Sequence, residues 1–387
     1  MEIKQIYDIA NQVVQEGLGS QEIAPVSAEN IVDVGKTLSE FNWTSPFLDK
    51  MAAKVSKVVL TSRVYKGQAP NIMVDGFEWG SVVEKIDTEL PSAELDKAYQ
   101  IADGQSVDPY VVSMPKTQAK YYSDKQVWSI KLTRFKDQIT HLFRSAADFE
   151  AFWAKVEIDL LNTYELEMQQ LTLLAVDNMI GETVATDFSD GNYSAGSAVR
   201  SVNLLYEYNQ IHTTDPATVA NALTNPEFIR FANQRMKQVQ KRMGTANTLF
   251  NIGGLMKFTQ GDNFKFFLHN DYVAAADSYL YGDTYHDEKV ALPDGYQSIT
   301  HWQGIGKGFK FEDTSKIDLV THSGRTVQLG GILGVMCDKY AVALYNKEEE
   351  VLTTPMNAAG KYLNIFHHYE TSYINDFNEN FVVFFIA

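Results

Sequence analysis

Residues 145–183 read SAADFEAFWAKVEIDLLNTYELEMQQLTLLAVDNMIGET and have the periodicity of one long helix. Ser145 with Asp148 three residues later resembles a capping box, in which both side chains satisfy N–H groups at the helix start. At 1.5 Å per residue the helix is on the order of 50 Å long, which is more typical of an extended, plate-like molecule than of a compact enzyme. The apolar side chains recur at the three- and four-residue spacing that places them on one face: Phe149, Phe152, Trp153, Val156, Leu160, Leu161, Tyr164, Met168, Leu171 and Leu174.

The segments before this helix have the composition of β-structure. Alternating and β-branched residues at 57–65 and 72–83, with a turn signal between them, predict a pair of extended strands. A polar excursion follows, and a cleaner strand is predicted at 126–135, where Trp128 and Ile130 alternate with polar neighbours. Strands separated by long polar loops are typical of an arm whose backbone edges are covered by other subunits.

Three further features organise the C-terminal half. A stretch rich in Gly, Ser and Asp at 181–196 predicts a domain boundary. A second helix is predicted at 226–243, with Thr224 or Asn225 as its N-cap and Gly244 as its stop. Residues 362–374 and 381–386 predict two strands near the end of the chain, so we expect the C-terminus to be anchored in a sheet.

Composition excludes several classes of protein. With 387 residues and 45% hydrophobic content, the chain is an ordinary globular one of two to three domains. The net charge of −16 argues against a dedicated nucleic-acid binder. The lone Cys337 excludes intramolecular disulfides and is expected to be a buried hydrophobic side chain. Without a signal peptide or a run near ~20 apolar residues, we expect synthesis in a cytoplasm and no membrane partner.

Large apolar side chains in the N-terminal part have no evident core of their own. Residues 1–56 carry too few of them, too far apart, to fold alone. We therefore expect them to pack on the body of the chain or on a neighbour. The residues predicted for contact between subunits are Phe41, Trp43, Phe47, Phe77 and Trp79.

The sequence offers no catalytic, cofactor or metal motif. Residues 304–308 read GIGKG and lack the GxxxxGK[ST] spacing of a phosphate loop. Residues 286–288 (HDE) and the pair His367 and His368 lack metal-ligand spacing, and neighbouring strand residues point to opposite faces. We predict a protein that is not an enzyme.

The second helix carries an unusual charge pattern. From Phe228 to Gly261 there is no acidic residue, whereas the helix holds Arg230, Arg235, Lys237, Lys241 and Arg242. Two interpretations remain open. The basic side chains form a solvated helix face, or they form a basic patch that meets acidic neighbours or packaged DNA phosphates without reading sequence.

This order of elements resembles the major capsid proteins of tailed bacteriophages, which have the Hong Kong 97-like fold. The segments LGGILGVMCDKYAVALYN and YLNIFHHYETSYINDFNENFVVFFIA look like the ends of such head proteins. The resemblance implies an α+β fold with five parts. These are an N-terminal arm (1–56), an extended β-hairpin loop with the first peripheral strands (57–135), a peripheral domain with the long spine helix (136–199), an axial domain (200–349) and C-terminal strands of the peripheral domain (350–387).

The resemblance also implies function. Hexamers and pentamers of the chain would form the icosahedral shell of the virion around double-stranded DNA, assembled in the host bacterial cytoplasm. It implies a portal protein and decoration or head–tail proteins as partners, with DNA contacted non-specifically. Because the chain has no room for the scaffolding extension of many relatives, a separate scaffolding protein is expected.

Two other classes remain open. An encapsulin-like nanocompartment shell has the same fold and would enclose enzyme instead of DNA. A cytosolic two-domain enzyme or carbohydrate binder would use the many aromatic residues, and would be a monomer or small oligomer with a ligand-sized cleft.

Overall fold

The fold is taken from a computed structural model and mixes helix and sheet, as predicted. The chain divides into two compact units, residues 1–68, 125–171 and 346–372 in the first and residues 69–124, 172–345 and 373–387 in the second. The structure describes residues 8, 10–14, 27, 30, 33–34, 70–72, 83–88, 93, 101–108, 110, 112, 117–122, 126–135, 146–282, 292–303 and 310–387.

The predicted long helix is confirmed as α1 (Ala146–Asp187), 42 residues and about 63 Å long. The proposed cap at Ser145 and Asp148 lies outside the described side chains. The apolar stripe holds in the middle of the helix, where Tyr164 and Met168 are buried. The predicted stripe is wrong for the last turns of the helix. Almost every residue from 172 to 185 is buried, whichever face it lies on. Leu174, which the stripe included, is 45% exposed. That part of α1 is surrounded by protein on all sides, so no single stripe could describe it.

The helix continues through Gly181 instead of ending near it. A Cβ at this position would lie 2.7 Å from Cδ1 of Leu319, so the glycine admits the Leu319 side chain close to the helix axis. At the C-terminal end, the Arg325 guanidinium donates to the carbonyl oxygen of Ala185, and Arg200 Nε donates to Asp187 Oδ1 over 3.1 Å. Two arginines from elsewhere in the chain thus stabilise a helix end that has no basic residue of its own.

The first unit contains most of a three-stranded sheet in the order β10-β11-β3. The strands are β3 (Gln126–Phe135), β10 (Val342–Thr353) and β11 (Tyr362–Asn375). β3 and β11 are antiparallel, and Ile130 lies opposite His367. The predicted faces of β3 are confirmed, since Ile130 is buried and Val127 is 63% exposed. In the described part of the arm, residues 10–14 are helical and Ala10 and Val13 are buried.

The second unit is built on a five-stranded sheet in the order β4-β12-β9-β5-β6. The strands are β4 (Ser201–Asn203), β5 (Phe264–His269), β6 (Tyr296–Ile299), β9 (Ile332–Asp338) and β12 (Phe381–Phe385). The outer pairs are parallel and the inner pairs antiparallel. Every residue of β9 and β12 is buried, Cys337 among them as predicted, so these strands form the centre of the core.

Three helices pack against this sheet: α2 (Leu204–Ile211), α3 (Pro226–Met243) and α4 (Asn270–Gly282). Their shared core includes Phe228 and Met236 of α3 with Phe266, Met336 and Phe384 of the sheet. A short helix α5 (Phe311–Thr314) precedes the hairpin of β7 (Ile317–Val320) and β8 (Thr326–Leu329). Two 3-10 turns cover Ala222–Thr224 and Gly261–Asn263.

The predicted second helix has its predicted bounds. Asn225 is the N-cap, and its Oδ1 accepts from the backbone N–H groups of Glu227 (3.0 Å) and Phe228 (3.3 Å). Pro226 occupies the first turn, where its missing N–H costs nothing, and Gly244 is the C-cap. Local sequence therefore determines both ends of α3.

The two C-terminal strands are confirmed, and they lie in different sheets. β12 pairs with β4 and β9, which belong to the segment 200–349 of the predicted axial domain. The division of the chain into the five capsid-like parts remains a prediction. Asn203 anchors the terminus, because its Nδ2 donates to the Ala387 carbonyl oxygen over 3.1 Å.

One strand pair differs from the prediction. β1 (Val83–Thr88) pairs antiparallel with β2 (Thr117–Tyr122), and we call the pair the β1–β2 ribbon. The sequence predicts a polar excursion here, and residues 117–122, TQAKYY, instead form a strand. The paired strands predicted at 57–83 fall almost entirely outside the described residues. In the part of the chain that the structure covers, no helix is both long and apolar enough to cross a membrane.

Candidate assembly surfaces

Three lysines and three carboxylates meet where the β1–β2 ribbon contacts the turn after β11. Lys85 donates to Asp376 and, over 2.7 Å, to Glu379 Oε1. Lys120 Nζ lies 2.6 Å from Asp376 Oδ1. We call this group the lysine–carboxylate cluster; its members are Lys85, Asp87, Lys120, Lys257, Asp376 and Glu379. The ribbon is thereby fixed to the body of the second unit through charged groups.

Lys257 closes the cluster from the loop that follows α3. Its Nζ lies 2.7 Å from Asp87 Oδ1 and 2.9 Å from Glu379 Oε1. Asn378 adds a neutral donor, with Nδ2 at 3.1 Å from Asp87 Oδ2. The carboxylate side chains are almost fully buried, with Asp376 at 0% exposure, and three positive charges balance three negative ones.

The geometry follows from strand periodicity. Lys85 and Asp87 are two residues apart in β1 and so lie on the same face. In the register of the ribbon Lys85 lies directly opposite Lys120, a like-charge pair that would be destabilising by itself. Asp376 accepts a bond from both lysines and removes that repulsion.

The cluster shifts the pKa values of its members toward the charged forms. Burial by itself would raise the pKa of Asp376, but the bonds from Lys120 and Lys85 outweigh burial and lower it. The same balance lowers the pKa of Asp87, through Lys257 and Asn378. Burial would lower the pKa of Lys85 and Lys257, and their carboxylate partners raise it instead. All four groups are therefore charged at neutral pH.

The opposite face of the ribbon is exposed. Ile86 is 61% exposed and Tyr121 is 65% exposed, and the Tyr121 hydroxyl donates to Glu84 Oε1 over 3.0 Å. The described residues between the strands add Tyr110, 86% exposed, and Val112, 75% exposed. The ribbon thus has one face held by ion pairs and another face with uncovered apolar groups.

The basic residues predicted on α3 do not form one patch. Arg235 makes a bidentate ion pair with Glu207 of α2, with Nε 2.6 Å from Oε2 and Nη2 3.0 Å from Oε1. Arg230 and Lys241 are exposed and Lys237 is half-buried. Arg242 is exposed on the side of the helix that carries Arg235.

The predicted contact residues Phe41, Trp43, Phe47, Phe77 and Trp79 lie outside the described residues and remain predictions. Sequence reasoning missed the lysine–carboxylate cluster entirely. The only available signal was the acidic turn 376–379 after a strand, together with Lys85 and Asp87 at alternate positions. Neither signal identifies a partner, because the partners are separated by more than 100 positions along the chain.

The structure describes some of the remaining residues that were considered for metal binding or catalysis. His367 is buried and His368 stacks on Phe366, on opposite faces of β11 as predicted. Burial raises the pKa of the Cys337 thiol. Residues 286–288 and 304–308 lie outside the described part. Among the described residues, no three His, Cys, Asp or Glu side chains are grouped as a metal site.

Comparisons with known proteins find a matching family and similar structures. The family described as Phi29-like phage major capsid protein matches residues 9–385. A chain in the capsid structure of Staphylococcus phage Andhra is 10% identical with a TM-score of 0.53, covering 84% of this chain and 86% of that one. A chain in the capsid structure of the cyanophage P-SCSP1u is 10% identical with a TM-score of 0.42, covering 84% and 91%.

The likeness to the Andhra chain shows a fold shared with a chain of a phage capsid structure. A comparison with curated proteins gives no match. The family match spans nearly the whole chain, including the β1–β2 ribbon, α1 and the terminal strands. The chain belongs to the Phi29-like phage major capsid protein family, and it is a major capsid protein of a tailed phage.

Proposed function

We propose that copies of this chain associate as hexamers and pentamers into a closed icosahedral shell around the double-stranded DNA genome of the phage. The observation that carries the proposal is the one-sided β1–β2 ribbon. Its inner face is anchored by the lysine–carboxylate cluster, and its outer face presents Ile86 and Tyr121 to solvent. One packed face is enough to hold a two-stranded ribbon in place, so the outer face with its exposed apolar groups is available for contact with a second copy.

The energetics support contact between copies. Covering the exposed half of an Ile, Val or Tyr side chain contributes roughly 1 kcal/mol at about 25 cal/mol per Å². Several such groups are exposed on the ribbon and its connecting loop: Ile86, Ile101, Val107, Tyr110, Val112 and Tyr121. Each interface is then modest, and a shell multiplies it over many copies that close by symmetry. Because the cluster holds the ribbon in one orientation, little conformational entropy is lost on association.

The finer architecture belongs to the same proposal. In the Hong Kong 97-like arrangement, residues 57–135 form the extended loop, residues 1–56 the arm, and α1 the spine helix. The protein acts by assembly and has no catalytic step. Its partners are a separate scaffolding protein, a portal protein, decoration or head–tail proteins and non-specifically held DNA, and it assembles in the host cytoplasm.

Negative-stain electron microscopy with light scattering tests the proposal, on the protein expressed alone and with its genomic neighbours. Closed particles of uniform diameter, or tubes and sheets of one lattice, are expected. The double variant Ile86→Ser and Tyr121→Ser should reduce the yield of particles at least tenfold. The matched control is Val320→Ser, which changes a 65% exposed residue on another hairpin.

Two outcomes would contradict the proposal. A monodisperse species of one to four chains under both conditions would contradict the shell. Particles that contain enzyme instead of DNA would identify a nanocompartment.

A further inference from the structure

A cleft opens between helices α2 and α3 of the second unit. Its volume is about 640 Å³, which lies within the roughly 300–1,000 Å³ of small-molecule sites. Its polar lining residues are three or four positions apart on each helix: Glu207 and Gln210 on α2, and Gln234, Arg235 and Gln238 on α3. This spacing places them on one face of each helix, away from its buried positions, so each helix forms one wall of the cleft.

An ion pair joins the two walls. Arg235 donates to both carboxylate oxygens of Glu207, over 2.6 and 3.0 Å, and the Ser197 hydroxyl donates to Glu207 Oε1 over 2.9 Å. The Arg235 and Glu207 side chains are only 23% and 22% exposed. They are the acid and the base among the described residues that line the cleft, and their charges cancel. The cleft therefore favours an uncharged ligand over an ion.

Three glutamine amides line the same cleft. Gln210, Gln234 and Gln238 are exposed, and within the described part of the chain their amide groups make no hydrogen bond. Each amide offers two donor hydrogens and one acceptor oxygen. Gln234 and Gln238 are one helical turn apart, about 6 Å along α3, whereas Gln210 lies on the opposite wall. A ligand in the cleft thus meets neutral donors and acceptors from both sides.

The end of α2 adds an oriented acceptor and apolar surface. The His212 ring stacks on Tyr208 with centroids 4.0 Å apart, and its Nδ1 lies 3.1 Å from the Tyr208 carbonyl oxygen. A carbonyl oxygen only accepts, so Nδ1 carries the hydrogen and Nε2 of the neutral ring is an acceptor. Ile211 is 66% exposed and Phe231 is half-buried, and both line the cleft. Neutral polar groups and apolar side chains therefore meet in one cavity.

We infer that the cleft between α2 and α3 binds a neutral sugar in its pyranose form. Such a ring carries hydroxyl groups around its edge, each of them a donor and an acceptor, and C–H groups on its faces. The glutamine amides of the two walls match the edge, and Ile211 and Phe231 match an apolar face. The inference goes beyond the proposed shell and needs no contact between copies. A shell would present the site many times, and multivalency would strengthen weak single-site binding.

A pyranose fits the cleft better than a phosphate or a nucleobase does. A phosphate draws its binding strength from uncompensated positive charge, and Arg235 is already paired with Glu207. A nucleobase gains most from stacking between flat rings, whereas one wall here presents the aliphatic Ile211. Amides on both walls suit a ligand with hydroxyl groups on several sides.

Saturation-transfer NMR on the full-length protein tests the inference, with methyl β-D-glucopyranoside and N-acetyl-D-glucosamine as probes. We expect binding of at least one probe with a dissociation constant on the order of 1 mM. Gln234→Ala with Gln238→Ala should weaken it at least fivefold, and Gln210→Ala tests the opposite wall. The matched control is Gln170→Ala, an exposed glutamine of α1. Alanine is the better helix former at all four positions, so the fold is retained, which circular dichroism checks.

The outcomes separate the sugar from other ligands. Loss of binding in the glutamine variants, with normal binding in the control, supports the inference. No transfer to either probe at about 10 mM, or equal binding by all variants, would overturn it. A stronger response from adenosine or from the anionic sugar N-acetylneuraminic acid would assign the cleft to a base or an anion and overturn it as well. None of these results depends on whether the protein forms particles, so the shell proposal stands or falls separately.

Discussion

Asp376 is bonded to both strands of the β1–β2 ribbon. It is fully buried and accepts from Lys85 and Lys120, two lysines that face each other across the strand pair. Removing its charge leaves both lysines mostly buried beside each other. The substitution therefore lowers stability by the free energy of breaking a buried ion pair. That loss is larger than the stabilisation that the intact pair contributes.

We expect Asp376→Asn to lower the free energy of unfolding by about 2–4 kcal/mol. Urea unfolding of the unassembled chain measures this. The matched control is Asp313→Asn, whose partner Lys316 lies 3.8 Å away with both side chains more than half exposed. The control should change stability by less than about 0.5 kcal/mol. Equal effects of the two substitutions would show that the cluster is not a stabilising element.

The cluster also predicts a dependence on pH. The folded pKa values of Asp87 and Asp376 lie below the unfolded value of 3.8. Their contribution to stability is therefore complete well above that value and is lost as pH falls toward the lowered folded pKa values. The pKa values of Lys85 and Lys257 lie above 10.5, so their contribution is complete below that pH and is lost at higher pH.

The measurement compares the unaltered protein with Asp376→Asn between about pH 7 and pH 3. The difference in unfolding free energy should shrink as pH falls below about 4, because Asp376 takes up a proton in the unfolded chain there while it is still charged in the folded protein. Buried Asp177 and Asp338, whose pKa values burial raises, are present in both proteins and cancel in the difference. A difference that stays constant down to pH 3 would contradict the assigned shift.

At the scale of elements, α1 is attached to the sheet of the first unit by aromatic packing. Trp128 of β3 stacks on Tyr369 of β11 with ring centroids 4.4 Å apart, and Tyr164 of α1 lies 5.0 Å from Tyr369 and 5.6 Å from Trp128. The Trp128 indole N–H donates to Thr371 Oγ1 over 3.2 Å, which fixes the ring on the sheet. Such a cluster contributes through buried area and through ring geometry together.

Tyr164→Ala should lower the free energy of unfolding by about 3 kcal/mol, since it removes a buried ring and leaves a cavity. Circular dichroism during urea unfolding measures this. Ile158→Ala on the same helix is the control, because Ile158 is 55% exposed and alanine has the better helix propensity. A loss at Ile158 as large as that at Tyr164 would contradict the one-sided packing of this part of α1.

At the scale of the whole molecule, the arm is expected to act in assembly more than in folding. Deleting residues 1–40 should leave a soluble, folded chain that forms at least tenfold fewer particles. Sedimentation and electron microscopy of the truncated protein measure this, with circular dichroism as the control for folding. Normal shells from the truncation would contradict the role of the arm.

The sequence by itself determined the elements whose signals are local. The apolar period of α1, the Asn225 and Gly244 caps of α3 and the alternation in β3 each depend on residues within a few turns or positions. The resemblance to phage capsid proteins followed from the order of these elements, and the family match confirms it.

Only the tertiary structure decided the pairing of β1 with β2 and the lysine–carboxylate cluster. TQAKYY becomes a strand because Lys120 and Tyr122 meet Asp376 and Ile374 from a distant segment, and no local propensity encodes that meeting. The burial of most residues from 172 to 185 of α1 likewise depends on distant segments such as the β7–β8 hairpin. Long-range contacts of this kind depend on how the whole chain packs, so a single sequence read in windows cannot reveal them.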